Sequence, residues 1–297
     1  MAIIRKRKIG NREYYYLEHT KRNGKHVEKK EKYLGTKIPA NIETIKKEFL
    51  DQIYRKKWFS QIDQIQQNFS KEQQSMPREA KQKSLENFMV KFTYNTNRIE
   101  GGTLTLRETA KLLEEGITPR EKPIKDVQEA ETHKKVFYKM LEHKGNLNLE
   151  TILYWHKLLF EETKPGIAGK IRNYQVSISG SKVELPLPVE LNFLLRDFFK
   201  WYSKSKEKMH PIELTALTHL KFVTIHPFAD GNGRVSRLIM NYILHNNSYP
   251  MLNITYQNKD TYYTALERSQ LKKRDDIFIT HIIKRYIKEY KKYLYYN

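Results

Sequence analysis

His226-Pro227-Phe228-Ala229-Asp230-Gly231-Asn232-Gly233-Arg234-Val235-Ser236-Arg237 is the stretch from which the rest of this chain is read. Two glycines flank an asparagine, an acid precedes them, and two arginines follow three residues apart. Beyond it, Val235, Leu238, Ile239, Tyr242 and Ile243 recur at helical spacing. The Gly-Asn-Gly turn therefore opens a helix, whose first amides are unpaired and whose dipole favours an anion. Glycine lets backbone N–H groups come close to a phosphate. Arg234 and Arg237 share a helical face and suit phosphate oxygens. Asp230 is a hard oxygen ligand of the kind Mg²⁺ takes beside phosphates. His226 is the one group of the stretch able to take a proton near neutral pH.

The stretch resembles the signature of the Fic family, His-x-Phe-x-(Asp/Glu)-Gly-Asn-Gly-Arg-x-x-Arg, with every fixed position present. The competing reading is a glycine turn before a core helix with surface arginines, and it needs many polar types to coincide. The resemblance implies a protein adenylyltransferase, which moves AMP from ATP to a Ser, Thr or Tyr hydroxyl of a target protein. It implies His226 as catalytic base and Mg²⁺ on Asp230, with Gly231, Asn232, Gly233 and Arg234 around the phosphates. Arg237 would hold the γ-phosphate.

Three further strings carry the same resemblance. Thr96-Asn97-Arg98-Ile99-Glu100-Gly101 is similar to the family's inhibitory motif, (Ser/Thr)-x-x-x-Glu-(Gly/Asn), in the class whose inhibitory helix precedes the core. It implies that Glu100 pairs with Arg237 and misplaces the nucleotide. Read alone, Glu100 is a solvated residue at a glycine-stopped helix end. Residues 176–183, with Gly169 and Arg172 before them, resemble the flap, a β-hairpin whose edge receives a target segment as an added strand. Ile178, Ser179, Gly180 and Ser181 then cover the nucleotide; the competing reading is a plain surface hairpin. Tyr262-Tyr263-x-Ala265-Leu266 resembles the segment whose first tyrosine lines the adenine pocket, with Gln270 near where relatives carry Asn. Helix packing is the other reading of the two tyrosines.

Composition sets the frame. The 297 residues carry 55 Lys+Arg against 34 Asp+Glu, a formal net charge of +21. That favours anionic partners, whether nucleotides, nucleic acid or acidic proteins, without choosing among them. The chain has no cysteine, which excludes a disulfide framework and thiolate chemistry. No apolar run has bilayer length, and Met1–Lys8 is basic without an apolar signal core, so a cytoplasmic protein with no membrane partner is expected. His156, His210 and His219 lack two further ligands at suitable spacing for a metal.

Residues 1–37 stand apart, with twelve Lys/Arg against four Glu. Alternation marks strands near 3–9, 14–20 and 26–34, turned at Gly10-Asn11 and Asn23-Gly24. The Tyr-Tyr-Tyr-Leu-Glu…Tyr-Leu-Gly pattern resembles a small basic meander of some transposases and some archaeal Fic proteins. Interleaved aromatic and basic residues suit nucleic acid; a solvated sheet packed through Tyr15, Leu17 and Leu34 is the other reading.

The fold class is mainly α: a Fic-type helical bundle core with one β-hairpin flap, plus a small N-terminal antiparallel β meander. The division expected is a basic meander at 1–38, a helical connector at 39–84, and a Fic domain at 85–297. The last includes an inhibitory helix at about 85–101 and the flap at about 174–184. Apolar spacing from Ile42 to Phe69 gives one long helix or two, and core helices are expected near 105–115, 126–143, 149–161, 187–203, 211–225, 234–246, 260–272 and 276–294. Thr105-Leu106-Arg107-Glu108 has the form of a capping box. Two other functions stay open: a nucleic-acid-binding regulator whose core senses ATP, and removal of AMP or transfer of another phosphate-containing group on the same fold. A homodimer also stays open.

Overall fold

The computed structural model describes residues 2–23 and 26–295. Gly24 of the expected Asn23-Gly24 turn, and Tyr296 and Asn297 of the C-terminal run, lie outside the described residues. The chain divides into two compact units, Met1–Asp63 and Gln64–Asn297.

In the first unit, β1 (Ala2–Ile9), β2 (Arg12–Asn23) and β3 (His26–Gly35) form an antiparallel sheet in the order β1-β2-β3. Register sets Ile4 opposite Leu17 and Arg5 opposite Tyr16. Alternation therefore sends aliphatic side chains to one face and Arg5 and Tyr16 to the other. Ala2, Leu17 and Phe49 are buried, with Ile4, Leu34, Ile42, Leu50 and Ile53 packed around them. Ile42, Phe49, Leu50 and Ile53 belong to α1 (Ile42–Ser75), which is one helix of 34 residues. The division between the two units falls within it.

The second unit holds α2 (Arg78–Ile99), α3 (Leu106–Glu115), α4 (Ile124–Glu142), α5 (Leu149–Phe160), α6 (Leu191–Ser205), α7 (Pro211–Ile225), α8 (Asn232–Asn246), α9 (Lys259–Lys272) and α10 (Asp275–Glu289). Local chemistry starts several of them. Thr105 accepts from the Glu108 amide at 3.2 Å while Glu108 accepts from the Thr105 amide at 2.8 Å, the reciprocal capping box. Asn148 caps α5 at Thr151 N, 2.8 Å away. Helix α8 is buried nearly all round, which makes it the central helix of the core. Val235, Leu238, Ile239 and Tyr242 pack with Phe92, Phe137, Trp155, Phe160 and Phe222 in one cluster.

Two expectations are corrected. The hairpin at 174–184 is not a hairpin: among the described residues these carry no strand. Its tip is a turn, with Ser181 N donating to Ile178 O at 3.1 Å, and side chains rather than a ladder hold its arms. Two isolated strands gain too little from pairing to form a ladder unaided. The last helix stops at Glu289 rather than 294 and gives way to a 3₁₀ turn, Lys291–Leu294. That turn buries Tyr293, whose carbonyl accepts from Asn68 at 2.8 Å. No helix among the described residues is long and apolar enough to cross a membrane.

Candidate active site

Helix α7 ends on His226, whose φ of 51° and ψ of 57° are left-handed. A side-chain-bearing residue adopts that region rarely and at a cost, so something must hold it. Arg172 Nε donates to the His226 carbonyl at 2.9 Å. The ring's Nδ1 lies 3.2 Å from the Val223 carbonyl. With Nδ1–H donating there, Nε2 is the ring's proton acceptor. Burial pushes the imidazole's pKa below its ordinary value, against the Val223 contact and with help from Arg172. The ring is therefore neutral at pH 7.

The loop from His226 to α8 is closed by Asn232. Its Oδ1 accepts from Phe228 N at 2.9 Å and its Nδ2 donates to Phe228 O at 2.8 Å. Gly231 has a φ of 83°, and a Cβ there would collide with the Phe160 ring. Both the conformation and the space demand glycine. No side chain caps α8, so the amides of 232–234 have no helical partner, and Gly231, Asn232 and Gly233 line the site.

Asp230 is half-buried beside this end. Its Oδ1 accepts from Gly231 N at 2.6 Å and from Arg234 Nη2 at 3.3 Å. Its Oδ2 is paired with Lys164. Burial opposes its charge, but Arg234 and Lys164 outweigh burial and hold the carboxyl below its usual range. Arg234 itself departs from the expectation of a phosphate ligand. Its buried guanidinium donates to Glu129 Oε2 at 2.7 Å and lies 4.4 Å from the Phe160 ring centre, outside the cavity lining. A buried cation takes the nearest buried carboxylate, and here that is Glu129.

Arg237 is 1% exposed. Its Nε donates to Thr96 Oγ1 at 2.5 Å and its Nη2 to Glu100 Oε1 at 2.6 Å. Burial alone would disfavour its charge, and Glu100 more than compensates. Thr96 and Glu100 are one turn apart at the end of α2, so both reach the same guanidinium.

These groups surround a cavity of about 610 Å³. His226, Asp230, Gly231, Asn232, Gly233, Arg237, Glu100, Ile178, Ser179, Gly180, Ser181, Tyr262, Tyr263 and Gln270 all line it. Tyr262 is buried with its hydroxyl 2.7 Å from His219 Nε2, so its ring rather than its hydroxyl faces inward. Gln270 donates to Thr224 Oγ1 at 3.0 Å, tying α9 to α7.

Sequence reading missed Glu267, which receives Ser181 Oγ and Lys182 N, each at 2.9 Å, and so fixes the loop tip over the cavity. It directly follows the quoted Tyr-Tyr-x-Ala-Leu string, and that position was the available signal. Arg172 is buried and anchors the base of the same loop. Beyond His226 O it donates to Tyr174 O at 3.0 Å and Pro186 O at 2.6 Å. Lys164, Glu129 and His156 carry no local pattern; His156 accepts from Gly169 N at 2.9 Å and stacks on Phe228.

A model of the Fic/DOC family matches residues 146–244. The protein adenylyltransferase Fic of Nematostella vectensis is 35% identical over 181 residues, 59% of this chain and 42% of that protein. The Drosophila ananassae protein of the same name is 35% identical over 178 residues, 59% of this chain and 35% of its own. This chain thus spans less than half the length of either relative. Among solved structures, Fic-1 from C. elegans superposes with a TM-score of 0.72 at 23% identity, over 86% of this chain and 76% of that one. A Fic-domain signalling protein from Bacteroides thetaiotaomicron gives 0.71 at 24% identity, over 79% and 96%. These two likenesses are of fold.

Proposed function

The chain carries a Fic/DOC family domain, and from that premise we propose that it is a protein adenylyltransferase, moving AMP from ATP to a hydroxyl of a target protein. The observation that carries the reading is a neutral imidazole, His226, lining one cavity with the open amide end of α8 and a buried arginine, Arg237. A base, an anion cradle and a second phosphate anchor are what in-line attack on a nucleotide α-phosphate requires.

His226 Nε2 takes the proton of the target hydroxyl as its oxygen bonds to the α-phosphorus. The bond from that phosphorus to the β-phosphate bridge oxygen breaks, and pyrophosphate leaves with the electron pair. The amides of 232–234 stabilise the charge gathering on the phosphate oxygens. The Tyr262 ring and Gln270 bound the part of the cavity left for adenine. Arg237 takes the γ-phosphate once Glu100 releases it, so the Glu100 pair restrains the wild-type enzyme.

The residues present fit a divalent cation. Asp230 faces the cavity, and its Oδ2 already holds a cation, the Lys164 ammonium. Mg²⁺ uses one or two carboxylates plus substrate phosphates. Asp230 would hold it, and the ion would supply neutralisation of the α- and β-phosphate charge. The 174–186 loop has no ladder partner of its own, which suits a target segment pairing along its backbone. On this reading the reaction is cytoplasmic.

The test is incorporation of label from α-labelled ATP into protein, with the wild type beside Glu100→Gly and His226→Ala. Label in the first two that disappears in the third supports the assignment. Equal label in all three removes it.

A further inference from the structure

The first compact unit carries a feature that AMP transfer does not use. Strand alternation and register put Arg5 and Arg7 of β1, Tyr14 and Tyr16 of β2, and Tyr33 of β3 on the sheet face opposite the aliphatic core. The Tyr16 and Tyr33 rings are 5.3 Å apart between centres, and Tyr14 and Tyr33 are 6.3 Å apart. Tyr33 is 53% exposed. The core on the other face is complete without these rings, since Ala2, Leu17 and Phe49 close it. Tyr14 and Tyr16 are half-buried against their neighbours on this face and Tyr33 is exposed, so the cluster keeps ring surface open to solvent.

The charges around them are ordered. Arg7 lies 4.5 Å over the Tyr16 ring. Glu18, nearly buried at 9% side-chain exposure, takes Lys29 at 2.7 Å and Arg5 at 3.8 Å. Glu31 takes Lys29 at 2.9 Å and is also paired with Arg7. Three cations thus share two carboxylates. The face keeps a net positive charge, and its long side chains are held beside the rings rather than left to sweep through solvent.

We infer that this face is a stacking platform for single-stranded nucleic acid, with bases on Tyr14, Tyr16 and Tyr33 and phosphates on Arg5, Arg7 and Lys29. Charge favours an anion, and the rings choose among anions. An acidic peptide offers carboxylates but no flat face to lay on tyrosine. A duplex hides its base faces in its own stack. A single strand presents both, and an arginine already stacked on Tyr16 extends the platform. The site shares no residue with the nucleotide cavity.

The experiment uses the full chain and a fluorescein-labelled twenty-nucleotide thymidine strand, with anisotropy read across a salt series. Binding is expected to weaken with salt by about 0.7 in log–log slope per phosphate neutralised. Tyr16→Leu/Tyr33→Leu is expected to weaken it about tenfold or more, and Tyr16→Phe/Tyr33→Phe to leave it within about twofold, because the ring and not the hydroxyl stacks. A bromouracil-substituted strand, photo-crosslinked to the wild type, is expected to map to the peptides holding residues 14–16 and 33, which tests the site without any variant. The inference is overturned by absence of binding, by crosslinks that map elsewhere, by unchanged affinity in a folded Leu variant, by tighter binding of the matched duplex, or by equal displacement with poly-glutamate.

Discussion

Glu100 Oε1 occupies the space that a Cβ on Gly233 would fill, and from there it meets Arg237 at 2.6 Å. The second glycine of the motif therefore gives the carboxylate its way in. On the proposed function, the position that would let backbone approach a phosphate also admits the group that keeps Arg237 occupied.

Glu100→Gly should raise AMP incorporation by roughly ten- to a thousandfold, equivalent to ~1.4–4 kcal/mol. Arg237→Ala should not reproduce the gain, because on the proposed function it removes the γ-phosphate anchor together with its restraint. Label transfer from ATP, including to the chain itself, measures both. Equal rates for wild type and Glu100→Gly would show that the pair is only structural.

His226→Ala should lower the rate by about 10²–10⁴-fold while ATP still binds. Because the ring's pKa lies below its ordinary value, the base is neutral throughout the range above pH 7. The rate should be flat from about pH 7 upward and fall on the acid side, with a midpoint below about 6.5. A rate that still climbs between pH 7 and 9 would assign the base to another group, one of higher pKa.

Much of this site is legible in the amino-acid sequence, and the reason is local. His226, Asp230, Gly231, Asn232, Gly233 and Arg237 sit within twelve residues, so one turn and one helix start bring them together. Glu100 is legible through its motif, although it reaches Arg237 across 137 positions. What stays hidden depends on tertiary choice. Arg234 could have faced a phosphate, but a buried carboxylate 105 positions away claims it. Lys164 meets Asp230 across 66 positions with no spacing that announces it. The 174–180 alternation reads as a strand because alternation records which side chains point inward, not whether a second strand is there to pair. Helices of the core are readable from apolar spacing, and α8 starts at Asn232, earlier than its apolar stripe, because the turn itself begins the helix.

Lys164→Met should strengthen Mg²⁺ binding to the nucleotide-free protein. The ammonium now shares Asp230 Oδ2 with any incoming cation. A partly exposed pair of this kind contributes about 0.2–1 kcal/mol, so the gain should be roughly one-and-a-half- to fivefold. Titration calorimetry, or Mn²⁺ followed by electron paramagnetic resonance, reads it. Weaker binding in the variant would mean that Lys164 positions Asp230 rather than competing for it.

Arg172→Met should lower stability by roughly 2–4 kcal/mol, since one buried guanidinium serves the carbonyls of Tyr174, Pro186 and His226. Lysine should not rescue it, because a single ammonium cannot reach acceptors set so far apart. The urea midpoint of each variant decides. A midpoint within error of the wild type would mean that the loop holds itself.

Acid should unfold the protein earlier than carboxylates alone would. Burial pushes His133 and His219 down to about 3 from an ordinary 6.5. Between those values the unfolded chain binds protons that the folded chain refuses. Stability should therefore be level above about pH 7 and fall below about 6.5, by up to about 1.4 kcal/mol per histidine per pH unit. Replacing His133 with Gln should remove one histidine's share of that slope between pH 6 and 5. A slope unchanged in the variant would place its proton uptake elsewhere.

Thr96 and Glu100 belong to the same chain as the arginine they hold. They meet it at a local concentration fixed by the fold, so diluting the protein leaves the pair closed. Opening must come from something added: a ligand that outcompetes the carboxylate, or a partner that unwinds the last turn of α2, where Gly101 at a φ of 96° already ends the helix. An activator of that kind behaves as a wedge. Its effect saturates with its own concentration and is indifferent to how much enzyme is present.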